Sequence, residues 1–277
     1  MAERVAIVTG GASGIGRALA AELTARGATV FIADIVGDRA KDTAEQLTKT
    51  GPGSAIAAEL DVRDAAAVQA LVDSAYADHG RLDLIMNNAG IAVGGAVHEL
   101  TLDHWNTIID VNLRGVIHGV HAAYPRMKER GTGQILNTAS LAGLTEPPMM
   151  APYVATKHAV VGLTLSLRAE AALYGVKVSA LCPGFVDTPL LDSVNPGLPQ
   201  TSSGSSAREA AKRVQRTFYT PEALAKDIVQ GLAKNKPLII APASARAIWR
   251  ARRFAPGLAG RFGRIAANQQ AKELGNR

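Results

Sequence analysis

From residue 4 to about 242, short apolar runs alternate with stretches whose apolar residues recur at helical spacing. Residues 4–8 read as a short buried strand, residues 17–26 as the helix after it, and residues 29–33 as a second strand. Continuous apolar runs at 82–86, at 134–136 with its neighbours, at 176–182 and at 238–241 suit parallel strands covered by helices on both faces. Helices are expected over 103–130 and 153–174, and a polar one over 207–216. No linker rich in proline or serine breaks the alternation until late, so the pattern predicts one α/β domain over residues 1–242.

Composition narrows the class further. A hydrophobic share of 47% in 277 residues is enough for a large core. The single Cys182 excludes an internal disulfide and a cysteine-based metal cluster, and its place in an apolar run before Pro183 marks a small core residue. His79, His98, His104, His118, His121 and His158 show no convincing ligand set, so no metal is expected. Met1 to Glu3 lead straight into the first strand without the look of a signal peptide, and no apolar run reaches the ~18 residues a membrane span requires. A cytoplasmic location is the expectation.

Two local constellations carry chemistry. The first strand runs into Thr9-Gly10-Gly11-Ala12-Ser13-Gly14-Ile15-Gly16 and then a helix. Such a glycine turn brings backbone close to a pyrophosphate without Cβ clashes, and the helix N-terminus favours the negative charge. Asp34 ends the second strand at about the distance expected of the acidic residue that binds an adenosine ribose; it would repel a 2′-phosphate, and neither Ile35 nor Ser13 offers that phosphate a cation. NAD is therefore expected over NADP, although Asp34 also fits an ordinary strand end. The second constellation is Tyr153 and Lys157, i and i+4 on one helix face, with Ser140 at the end of an earlier apolar run. An ammonium beside the phenol would favour its ionised form and make it useful for acid–base work near neutrality. Taken singly, Ser140 reads as a backbone-satisfied hydroxyl and Asn112 as a helix-surface amide.

The spacing Gly-x-x-x-Gly-x-Gly, Asp61-Val62, Asn87-Asn88-Ala89-Gly90, Asn112, Ser140, Tyr153-x-x-x-Lys157 and Pro183 to Thr188, in this order, resemble the short-chain dehydrogenase/reductase family over almost all of residues 4–242. The resemblance implies a doubly wound Rossmann-type domain with a seven-stranded, mainly parallel sheet. It implies that Tyr153 is the general acid or base, that Lys157 lowers its pKa and holds the nicotinamide ribose, that Ser140 polarises the substrate oxygen, and that Asn112 supports a water-linked proton path. It assigns Gly10, Ser13, Gly14, Ile15, Gly16, Asp34 and Ile35 to one half of the cofactor, Asp61 and Val62 to the adenine, and Asn88, Ala89, Gly90 and Val111 to the cleft. Pro183, Gly184, Val186 and Thr188 would border the nicotinamide. The implied reaction is reversible hydride transfer between NAD and a secondary alcohol or ketone.

Residues 188–220 resemble the mobile substrate-covering segment of the family, though a disordered surface loop fits equally. Leu190 and Leu191 there, with Leu141, Ala142, Pro148, Met149 and Met150, promise an apolar pocket and a lipophilic substrate of steroid, retinoid or lipid type. The segment 243–277 is a basic extension similar to that of lipid-type members. From residue 237 onward Arg246, Arg250, Arg252, Arg253, Arg261, Arg264, Lys272 and Arg277 face Glu273 alone, so this tail holds +7 and the rest of the +6 chain −1. Interleaved Ile248, Trp249, Phe254, Leu258, Phe262 and Ile265 suit either an anionic lipid surface or packing on the protein's own body or a sister subunit, and the packed arrangement is favoured because helical faces are usually core or interface. Peripheral membrane contact stays open, no nucleic acid is expected, and resemblance implies a homotetramer or homodimer formed through the helices at 103–130 and 153–174. A silent dinucleotide-binding regulator and a membrane-associated platform are the alternatives of a different kind; the complete Asn112, Ser140, Tyr153 and Lys157 set opposes the first.

Overall fold

The computed structural model describes residues 4–201, 207–215, 217–255 and 257. Seven strands, β1 (Val5–Thr9), β2 (Thr29–Asp34), β3 (Ser54–Glu59), β4 (Leu84–Asn87), β5 (Gly133–Thr138), β6 (Val176–Pro183) and β7 (Leu238–Ala241), form one sheet in the order 3-2-1-4-5-6-7. Every neighbouring pair is parallel. Alternate residues of each strand therefore enter different cores. Ala6, Val8, Val30 and Ile32 pack with α1 (Gly14–Thr24), α2 (Gly37–Thr50) and α8 (Pro221–Ala233). Val5, Ile7, Phe31 and Ile85 pack with α3 (Ala65–His79), α5 (Gly115–Arg130) and α6 (Ala151–Ala171). The strand order reverses between β1 and β4, where open α/β sheets leave a crevice at the strands' carboxyl ends.

Local chemistry sets the helix bounds. Asp64 caps α3 by accepting from Ala66 and Ala67 N–H, and Gly80 ends it in left-handed backbone at φ +68°. Thr220 caps α8, with Pro221 at its first position. The first helix begins at Gly14, earlier than the expected residue 17, because the glycine turn itself opens it. The expected helix at 103–130 divides into α4 (Leu102–Ile109), a π-helical turn (Asp110–Arg114) and α5; such a turn inserts an extra residue that helical periodicity does not reveal.

The polar helix appears as α7 (Ala207–Val214). A further helix, α9 (Ala243–Phe254), packs on the body: Ala245 is buried, Trp249 rests against the cluster of Val160, Val161 and Ile240, and Arg246 Nη1 donates to the Ile240 carbonyl at 2.9 Å. Ile248 and Phe254 remain exposed. Leu258, Arg261, Phe262, Arg264, Ile265, Lys272, Glu273 and Arg277 lie outside the described residues, as do 202–206 of the covering segment. No helix among the described residues is long and apolar enough to cross a membrane.

Candidate active site

Past Thr9 the chain turns through Gly10 at φ +61° and Gly14 at φ +49°, backbone that favours glycine. A Cβ on Gly16 would overlap the Gly10 carbonyl oxygen, so the turn closes only without one. The Thr9 hydroxyl accepts from the N–H groups of Asn88 and Ala89 at 2.9 and 3.0 Å, and Asn88 Nδ2 donates to the Thr9 carbonyl at 3.0 Å. These bonds join the loops after β1 and β4 across the crevice. The Ser13 hydroxyl does not cap α1, and no acidic side chain stands in its first turn, which includes Ile15. That helix end suits an anion.

Asp34 is buried at the end of β2, and its carboxylate accepts from Ala12 N–H at 3.2 Å and Val36 N–H at 3.1 Å. It thus braces the glycine turn as well as standing beside it. Ile35 next to it is exposed. After β3, the Asp61 carboxylate is taken by Arg63, whose guanidinium donates at 2.6–3.0 Å and holds the carboxyl below its usual range. An adenine that used Asp61 would share it with Arg63. Val62 is buried, and its carbonyl accepts from His118 Nδ1 at 2.9 Å; Val111 is half-buried in the π turn.

Ser140 follows β5, while Tyr153 and Lys157 lie one turn apart near the start of α6 with only 8% and 4% of their surfaces exposed. The Ser140 oxygen accepts from Ala142 N–H at 3.1 Å, and its O–H faces the Tyr153 phenol as a donor. Lys157 Nζ lies 5.6 Å from the centroid of the Tyr153 ring and donates to the Thr138 carbonyl at 2.9 Å. Burial pulls Lys157 down to about 8. Burial also raises the Tyr153 phenol above its ordinary value, with the Ser140 hydroxyl opposing it. The direction at the phenol is thus set by desolvation against the Ser140 hydroxyl, while the hydrogen bond of Lys157 goes to backbone.

The π turn carries Asn112 inward. Fully buried, it accepts from Ile91 N–H at 2.9 Å and donates to the Ile91 carbonyl at 3.0 Å, so it is no surface amide. A Cβ on Gly90 would stand 3.1 Å from Asn112 Oδ1 and 3.6 Å from Lys157 Nζ, which places these three residues around one point.

On the far wall, Pro183 ends β6, Gly184 N–H donates to the Ala241 carbonyl, and Val186 bridges to Tyr219. Thr188 packs on the glycine turn, its methyl 3.1 Å from the position of a Cβ on Gly14. Arg208 donates to Asp187, Asp192 and the Thr188 carbonyl, tying this stretch to α7.

Of the expected substrate contacts, Ala142 and Met150 join an apolar cluster with Val93, Ile108 and Tyr153. Leu191 is buried and Leu190 half-buried in the turn Pro189–Asp192. Leu141 packs instead toward Val116 and Ala139. Pro148 and Met149 line a groove of about 600 Å³ shared with Glu146, Val154, His158 and Arg252, none of them in the catalytic set.

The sequence profile described as short chain dehydrogenase matches residues 4–199. The chain belongs to the short-chain dehydrogenases. It is 39% identical to a "Monensin polyketide synthase putative ketoacyl reductase" of Streptomyces virginiae over 80% of this chain and 87% of that protein. It is also 39% identical to a "3-alpha-(or 20-beta)-hydroxysteroid dehydrogenase" of Mycobacterium tuberculosis over 74% of this chain and 77% of that one. A short-chain dehydrogenase/reductase from Burkholderia phymatum, solved in complex with NAD, superposes with a TM-score of 0.82 at 33% identity, covering 92% of this chain and 94% of its own. This short-chain dehydrogenase is thus an oxidoreductase acting on CH–OH groups. Its residues fit a dinucleotide: the turn a Cβ on Gly16 would fill, the uncapped α1 and the buried Asp34 lie along one side of the crevice. Sequence reasoning missed Thr9 and Thr138, whose polar groups hold Asn88, Ala89 and Lys157; the position of Thr9 directly before the glycine turn was the only signal.

Proposed function

We propose that this short-chain dehydrogenase moves a hydride between NAD and a lipophilic secondary alcohol or ketone, with Tyr153 carrying the proton. The observation that carries the reading is the convergence of Ser140, Tyr153 and Lys157, two of them buried, beside the crevice that Gly10, Asn88 and Thr188 border. The cofactor, when bound, supplies the hydride acceptor or donor. The Ser140 O–H donates to the substrate oxygen and orients it toward the Tyr153 hydroxyl. Tyr153 holds the proton at its phenol oxygen and exchanges it with that oxygen. Lys157 has three donors, one spent on Thr138, which leaves two for a ribose. Asn112 holds the Ile91 carbonyl in place as a station for a water-linked proton path.

The NAD preference rests on the Asp34 carboxylate, which would repel a 2′-phosphate at this site. Apolar character of the substrate is supported by Val93, Ala142 and Met150 around Tyr153, and by the kinship with a hydroxysteroid dehydrogenase. A homo-oligomer is supported by exposed Ile117 on α5 and Leu165 on α6.

Screening lipophilic secondary alcohols and ketones with NAD and NADP, following absorbance of the reduced cofactor, tests the reading. Turnover with NAD is expected, and Tyr153→Phe should lose roughly 10³-fold in kcat while its NAD affinity stays within about twofold. Comparable turnover in that variant removes Tyr153 from the chemistry.

A further inference from the structure

The stretch 193–201, expected as a mobile cover or a surface loop, is fastened to residues 92–94 and to His104. Asn195 is fully buried, a rare state for an asparagine in a connecting segment. Its Oδ1 accepts from Gly94 N–H at 3.0 Å and its Nδ2 donates to the Gly94 carbonyl at 2.9 Å, so the side chain pairs with Gly94 as a peptide group would. Its own N–H donates to the Ala92 carbonyl at 3.0 Å, and Ala92 pairs with Val194 in parallel. The backbone at Asn195 is left-handed, φ +55°, which asparagine tolerates better than most residues.

Two further bonds extend the seam. Thr201 Oγ1 donates to the Gly94 carbonyl at 3.0 Å. His104, fully buried in α4, has Nδ1 3.1 Å from Thr101 N–H, a donor, so its Nε2 carries the hydrogen and donates to the Pro199 carbonyl at 2.9 Å. Between these anchors Leu198 packs against the cluster of Val93, Ile108, Ala142 and Tyr153.

We propose that Asn195 is a positioning residue that makes 194–201 a fixed wall of the substrate pocket, and that Leu198 on this wall determines which substrates fit beside Tyr153. The claim about Leu198 rests on the alcohol/ketone reading above; the claim about the wall does not. A fixed apolar wall selects by shape, because a leucine on backbone held by buried hydrogen bonds does not retreat from a bulky substrate.

The test compares the full chain with Asn195→Gly, which keeps the left-handed backbone and removes only the amide pair, and with Leu198→Ala. Hydrogen exchange without ligand should show the amides of 92–95 and 194–198 protected in the wild type and exchanging roughly tenfold faster in Asn195→Gly, with the sheet unchanged. In steady state Asn195→Gly should raise KM for the alcohol about tenfold at a kcat within about twofold, and Leu198→Ala should shift the kcat/KM ratio of a bulky over a small secondary alcohol about fivefold or more. Exchange of 194–198 at the rate of unstructured chain in the wild type overturns the wall. Wild-type KM and selectivity in both variants overturn the specificity role. If no secondary alcohol or ketone turns over in the wild type, the reaction reading and the role of Leu198 fail together, while exchange still decides whether the wall is fixed.

Discussion

Lys157 gives its hydrogen bond to the Thr138 carbonyl, 2.9 Å away and 19 residues earlier in the chain, rather than to the phenol of Tyr153 beside it. A buried ammonium held by one neutral carbonyl is costly, and burial accordingly brings Lys157 down to about 8 from its ordinary 10.5.

That cost depends on pH. Below about pH 8 the lysine is protonated both folded and unfolded, and the penalty is fully present; between about 8 and 10.5 the unfolded chain binds more protons, so stability from this group rises with pH. Lys157→Met removes the titration. The unfolding free energy of the wild type relative to this variant, measured in urea without cofactor, should therefore climb from pH 7 to 9.5, by on the order of 2 kcal/mol at most. The comparison uses the slope, because the orphaned Thr138 carbonyl adds a constant. A difference independent of pH would show that Lys157 is not a desolvated ammonium.

Asp34 has two duties that one variant separates. Asp34→Ala removes the carboxylate that would repel a 2′-phosphate and also the acceptor for Ala12 and Val36 N–H. The ratio of kcat/KM for NADP over NAD should rise about tenfold or more, and the protein should lose about 1–3 kcal/mol of stability from the unpaired buried N–H. An unchanged ratio would assign the cofactor preference elsewhere.

Arg208 is tied to Asp187 and Asp192, whose side chains are 56% and 53% exposed. Water screens such pairs, so the ion pairs themselves add little to stability. The third acceptor of Arg208 is the Thr188 carbonyl, and Thr188 packs on the glycine turn. In Arg208→Ala the KM for the dinucleotide should therefore rise several-fold at a nearly unchanged melting temperature. A wild-type KM would show that Thr188 keeps its place without the arginine.

The features readable from residue order alone share one property: each is made within a few consecutive positions. Apolar runs announced the strands because a residue's burial on either face of a parallel sheet follows from its own side chain. The turn from Thr9 to Gly16 showed itself because left-handed backbone and close approach demand glycine there. Tyr153 and Lys157 met through the helical repeat.

What depended on distant partners was settled only by the folded chain. The π turn that carries Asn112 inward looks in the sequence like uninterrupted helix, and the clamp of Asn195 on Gly94 joins residues 101 positions apart. Arg63 on Asp61 and Thr138 on Lys157 likewise compete with the roles that motif spacing alone assigns. The upward shift of the Tyr153 phenol belongs to this class too: local order brings the ammonium near, but desolvation is a property of everything packed around the ring, and that packing exists only in three dimensions.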